Sequence, residues 1–146
     1  MKYQITLPLP EGWASATEEY EEVEGAPITH FSAHMPDSEG KTEGSMIDLY
    51  LGDLPDETTA QDEAFANYAD MVGWDGDDDE ESPIAQWKFQ NRNAYGFSAL
   101  CEDESVLLLM CVEIRKGVLL IANLVAPTNE SLQDLAKLVE FKLRIK

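Results

Sequence analysis

Positive charge is what this chain has least of: 10 Lys and Arg stand against 29 Asp and Glu, a formal net charge of -19. A chain so charged repels phosphate backbones and anionic headgroups. Nucleic acid and membrane surfaces are therefore unfavourable partners, and a basic protein or a cation is a favourable one. Long hydrophobic runs are missing too. The longest, Val106–Val112, is stopped by Glu113 and Arg115, far short of the about 18 continuous apolar residues of a membrane span. The stretch from Met1 to Pro8 holds no apolar run long enough for a signal-peptide core. These absences predict a soluble, cytoplasmic protein.

Cysteine and histidine are nearly absent. A hairpin through Glu102–Glu104 sets Cys111 opposite Tyr95 or Gly96, which leaves Cys101 and Cys111 roughly 15 Å apart along the sheet, beyond the about 7 Å Cα separation of a disulfide. Two buried, reduced thiols are expected, in keeping with a cytosolic address. His30 and His34 are the only histidines. Four residues of strand span about 13 Å, too far for both to reach one zinc at about 2.0–2.1 Å, so no metal is expected there. Nucleophilic catalysis needs a Ser or Cys beside an oriented base, and no Gly-x-Ser-x-Gly elbow or such set is present. No glycine-rich phosphate loop exists either, since Gly73-Trp74-Asp75-Gly76 runs into acids that repel phosphate. The expectation is a protein without catalytic residues and without a cofactor.

What is present, over 146 residues, is enough chain for one domain that buries roughly 68–70% of its unfolded surface. Its centre is the stretch Ser105–Leu143: two apolar runs, Val106–Ile114 and Val118–Val125, joined by a tight Arg115-Lys116-Gly117 turn and followed by a helix. Ahead of it, Ala85, Trp87 and Phe89 alternate with polar residues, Asn91-Arg92-Asn93 turns the chain, and Tyr95, Phe97, Ala99 and Cys101 follow, which predicts a hairpin with one aromatic face. The four strands form an antiparallel meander. The near-continuous apolar character of the last two marks them as central and covered on both faces. A second helix capped by Thr128 or Asn129 carries Leu132, Leu135, Ala136 and Val139 on one stripe, suited to lying across the meander. Beyond Glu140 the pattern fits either a frayed last turn or a short added strand.

The N-terminal half reads less sharply. Tyr3, Ile5 and Leu7 alternate as a strand, which the Pro8-Leu9-Pro10-Glu11-Gly12 corner stops before Trp13. Ser15–Glu24, rich in Glu, is either an edge strand or a loop. Ile28–Met35 is a strand with Ile28, His30, Ser32 and His34 on one face, 36–44 is turn composition, and Met46–Leu51 is another strand. A first helix is predicted from a Thr58/Gln61 capping box to a stop at Gly73, with Ala64, Phe65, Tyr68, Ala69 and Val72 on its packed face. The elements add up to one α+β domain over residues 1–146: an antiparallel sheet flanked by two main helices.

The corner Leu7-Pro8-Leu9-Pro10-Glu11-Gly12-Trp13, the mid-chain helix after a strand ending at Gly52, and the closing hairpin, Ala126-Pro127 and helix resemble the PsbP-like fold family. That group includes the photosystem extrinsic protein, the Ran-binding nuclear import factor, and bacterial domains of the DcrB type and of effector-associated chaperones. The resemblance implies an antiparallel sheet flanked by helices that acts by holding protein partners. Against the pattern of the group, no transit peptide or lipoprotein signal is expected from the Met1–Pro8 stretch, and no family binding residue maps onto a numbered position here.

One stretch suggests where a partner would dock. Trp74 precedes Asp75, Asp77, Asp78, Asp79, Glu80 and Glu81, and an aromatic anchor beside a charged rim divides affinity from steering. Trp74 folded under as core and a solvated acidic loop are the competing readings. Asp75, Asp77 and Asp79 imitate the start of a calcium loop, but Glu80 stands where that loop needs Gly and Gln86 where it needs Glu. The sheet face carrying the histidines is the other candidate surface. The sequence thus predicts a non-enzymatic protein-binding module of the chaperone or adaptor kind. Alternatives are an acidic immunity-type inhibitor of a basic toxin, or a carrier of a small apolar ligand, which would need an unfilled cavity between sheet and helix.

Overall fold

The computed structural model of the chain describes residues 3–9, 12–23, 25–36, 42–54, 57–72, 84–100 and 105–145. Its elements run β1 (Ile5–Thr6), β2 (Ala14–Val23), β3 (Ala26–Pro36), β4 (Thr42–Asp53), α1 (Ala60–Val72), β5 (Ala85–Phe89), β6 (Arg92–Leu100), β7 (Val106–Arg115), β8 (Val118–Ala126), α2 (Asn129–Lys142) and β9 (Arg144–Ile145). Seven strands form one antiparallel sheet in the order β2-β3-β4-β8-β7-β6-β5. The predicted α+β architecture, with its four-stranded meander β5 to β8, is therefore present. The meander is one half of a larger sheet, because β8 also pairs along its length with β4, Leu49 opposite Ala122. The glutamate-rich stretch after Trp13 resolves as the edge strand β2, and Thr42–Gly44, expected as turn, belong to β4.

The two helices lie on opposite faces. Leu132, Leu135 and Val139 of α2 are buried with Ile47, Leu49, Met110, Val112, Leu120 and Leu124, while Ala60 and Ala64 of α1 share the other face with Phe97, Leu107, Leu109, Cys111 and Leu119. Strands β7 and β8 are apolar in consecutive positions because they are buried from both sides. On the α2 side the chain ends meet as well: β1 pairs with β9, Ile5 opposite Ile145. The alternation from Phe141 to Ile145 thus resolves in favour of a short added strand, although Phe141 itself is still helical and exposed.

Local chemistry shifts two predicted boundaries. The first helix is capped by Thr59, one residue later than expected: its Oγ1 accepts from the Asp62 N–H at 3.1 Å, and the Asp62 carboxylate accepts from the Thr59 N–H at 3.2 Å. Asp62 plays the part assigned to Gln61, and the buried stripe starts at Ala60. At the other helix Thr128, one of the two expected caps, takes the role, accepting from Ser131 N–H. The second shift has a larger consequence. The β5–β6 turn is Gln90-Asn91, both at positive φ (50° and 67°), the geometry of a two-residue hairpin turn. Phe89 then pairs with Arg92 and Trp87 with Ala94, a register of opposite parity from that of an Asn91-Arg92-Asn93 turn. A one-residue change in register moves side chains to the other face. The single aromatic face expected for this hairpin does not form: Trp87 and Phe89 face α2, and Tyr95 and Phe97 face α1, where Phe97 meets Tyr68 edge-on at 5.1 Å.

Candidate functional site

Helix α1 is seated over β6 and β7. The same face of β2, β3 and β4 stays open enough that Glu18, His34 and Met46 are exposed. These three strands contain none of the chain's Lys or Arg residues, so the open half-face is acidic. Several basic groups gather instead toward the other edge of the sheet, where Lys88, Arg92 and Lys116 line a polar hollow beside Thr59.

The centre of the open half-face is His30. Strand pairing sets Glu18 of β2 and Tyr50 of β4 directly opposite it, and period-two alternation puts all three on one side. Glu18 Oε1 lies 3.2 Å from His30 Nδ1 and Asp48 Oδ1 lies 3.0 Å from His30 Nε2, while the imidazole stacks flat on the Tyr50 ring, centroids 4.3 Å apart and planes 3° from parallel. Both ring nitrogens face carboxylate oxygens, which only accept; the imidazolium form alone donates to both. The His30 and Asp48 side chains are 18% and 19% exposed against 70% for Glu18, so the Asp48 bond is the sheltered one. Burial pushes the Tyr50 hydroxyl above its usual pKa, helped by the charges of Asp48, Tyr20 and Glu18.

Chemically this arrangement is a holding device. The carboxylates attach to opposite sides of one ring, so they do not converge on a common cation, and among the described residues no group of three His, Cys, Asp or Glu is arranged to hold a metal ion. His34, one face-turn further along β3, is exposed at the Ala14–Met46 row. On β8, Asn123 sits opposite Asp48, and its Oδ1 is enclosed without a hydrogen-bond partner. No family model, curated protein or solved structure matches this chain. The acidic docking stretch expected from sequence, Trp74, Asp75, Asp77, Asp78, Asp79, Glu80 and Glu81, lies outside the described residues, as does Cys101.

The sequence placed the histidines on one side of a strand but did not reveal the cluster. Alternation gave His30 and Asp48 their sides; the order of strands that sets Glu18, His30 and Tyr50 in one row is a long-range property. The cluster's energetic role is testable. Replacing His30 by Ala strips the sheltered Asp48 carboxylate of its donor and uncovers Tyr50, an expected loss of about 1–3 kcal/mol. In a cycle with Asp48→Asn, urea unfolding should show a coupling of about 1 kcal/mol or more between the two positions. Strictly additive losses would mean that the 3.0 Å contact contributes nothing.

Proposed function

We propose that this chain is a non-enzymatic protein-binding module, chaperone- or adaptor-like, that holds a basic partner over the β2–β3–β4 half of its sheet. The observation carrying the proposal is the open half-face itself, with Glu18, His30, Asp48 and Tyr50 at its centre and no Lys or Arg on any of its strands. The aromatic and the apolar parts, Tyr50 and the exposed Met46, offer contact area, and the surrounding acids offer steering. Strand β2 ends the order of the described sheet, the kind of position at which an extended segment can add to a sheet. Both nitrogens of His30 are engaged by carboxylates, an arrangement suited to rigidity more than to proton transfer. Membership of the PsbP-like group belongs to the same proposal, since an antiparallel sheet with helices is the architecture that the resemblance implies. So does the acidic stretch after Trp74 as a steering element.

The test starts with capture from native cytosol at low and at physiological salt, and proceeds to rates with the captured protein. It should be basic, and Glu18→Gln, the exposed β2 acid on this face, should slow its association by about threefold and flatten the salt dependence, while Glu19→Gln and Glu21→Gln, which alternate onto the opposite side, should have less effect. Asp77→Asn, Asp78→Asn and Asp79→Asn report separately on the acidic stretch. An Asp134→Asn control on α2 should leave the rate alone. A partner with an acidic contact surface, or an on-rate indifferent to the β2 charges, would remove this function from consideration.

A further inference from the structure

The other face of the sheet holds a cavity. Between α2 and strands β5, β7 and β8 an apolar space of about 310 Å³ is floored by Trp87, Phe89, Met110 and Leu124 and limited by Ala122 below and Ala136 on the helix. Two alanines at facing elements leave room that larger side chains would fill. Its size has a physical scale: an apolar cavity of roughly 150 Å³ stays dry and takes up benzene, so this one suits a body of about twice that volume, a fused bicyclic ring or a short branched chain. Gln133, Lys137 and Glu140 line its mouth, spaced i, i+4 and i+7 along one ridge of α2. Lys137 and Glu140 cancel in charge, and Gln133 offers both a donor and an acceptor. A net charge of -19 disfavours the approach of an anion, so a fatty-acid carboxylate is the wrong head for this mouth.

We infer that the cavity between α2 and the β5–β8 meander is a binding site for a small uncharged amphipathic molecule, with an apolar bicyclic-sized body inside and one hydrogen-bonding head at Gln133, Lys137 and Glu140. The site lies on the opposite face from the His30 cluster and does not depend on the function proposed for that surface. Filling it stabilises the folded chain by mass action.

Two probes that differ in the charge of the head decide the matter. By titration calorimetry at neutral pH, 2-naphthol should bind saturably, one molecule per chain, and raise the melting temperature, while 2-naphthoate should bind at least about tenfold more weakly. Ala136→Trp should abolish 2-naphthol binding without lowering the melting temperature, because the indole occupies the space. Leu108→Trp, which enters from the sheet side, does the same work if the helix variant does not fold. No saturable heat with 2-naphthol, binding that survives both tryptophan variants, or equal affinity for 2-naphthoate would each overturn the assignment.

Discussion

Replacing Gly96 by Ala should destabilise the chain by about 3 kcal/mol or more, a loss of roughly 10 °C in melting temperature for a chain of this size. Gly96 lies in β6 opposite Ala85 on one side and Met110 on the other. A Cβ there would stand 2.0 Å from the Leu109 carbonyl oxygen and 2.9 Å from Trp87 Cη2. The first neighbour is backbone of a central strand, hydrogen-bonded in the ladder and backed by α1, so it has nowhere to move. The second is the indole that floors the cavity under α2. Glycine is required here by close approach, not by an unusual φ. Gly52→Ala supplies the contrast: its Cβ would meet Ile28 Cγ1 at 3.4 Å, an ordinary contact, and the lower entropy of the unfolded chain should make the change neutral or slightly stabilising. Urea unfolding of the two variants side by side separates them. Similar small losses in both would mean that β6 and β7 can part at Gly96, and that the cavity floor is soft.

The same hairpin shows where sequence reasoning stops. Periodicity identified β5, β6, β7 and β8 and placed Leu132, Leu135 and Val139 on one stripe, because each of those patterns is set by burial on one or two faces of a local element. Register was not legible in the same way. Asn91-Arg92-Asn93 and Gln90-Asn91 both look like turns, and only the packing of Phe89 under α2 and of Phe97 against Tyr68 decides between them. The first helix misled in a similar manner: Thr58 and Thr59 are both capping residues by type, and the choice falls on the one whose hydroxyl reaches Asp62 N–H. The union of β4 with β8 left no local trace, since these strands are separated by a helix and three strands. The His30 face depends on that union and on the β2–β3–β4 order. Hence His30 and Asp48 could be assigned to a side of the sheet, while the row Glu18, His30, Tyr50 could not be written from sequence.

Charge was legible as a total but not as a map. The -19 of the whole chain predicts repulsion of anions everywhere, yet the folded sheet segregates it. Strands β2 to β4 are free of Lys and Arg, and Lys88 and Arg92 stand on the strands at the far edge. The His30 face presents Glu18 and Asp48 on neighbouring parts of one sheet, where side chains stand at fixed spacing. That is a more discriminating surface than net charge implies, and under the function proposed above it would orient a basic partner.

The thiol of Cys111 should be close to inert in the folded chain. Cys111 is fully buried in β7, between Tyr95 of β6 and Ile121 of β8, and burial, assisted by the charge of Glu63 on α1, pushes its pKa up to about 12 from 9.0. The thiolate is the reactive form, and at pH 8 a shift of that size lowers its population about a thousandfold before steric access is counted. In a Cys101→Ser background, where Cys111 is the sole cysteine, Ellman's reagent should react at least about a thousandfold more slowly with the native chain than with the urea-unfolded one. Linkage fixes the sign of the pH effect. The folded pKa lies above the unfolded one, so the contribution is fully present below pH 9.0 and is lost as pH rises, because the unfolded thiol gives up its proton first. Between pH 9 and pH 10.5 the loss should be about 2 kcal/mol by urea unfolding, and Cys111→Ala should remove that slope. Tyr50, also shifted upward, adds a slope of the same sign near pH 10 and above in both proteins, so the difference between the two curves isolates the thiol. A native labelling rate near that of the unfolded chain, or identical pH slopes with and without the thiol, would mean that α1 does not seal β6 and β7 as the packing of Ala60, Ala64 and Tyr68 indicates.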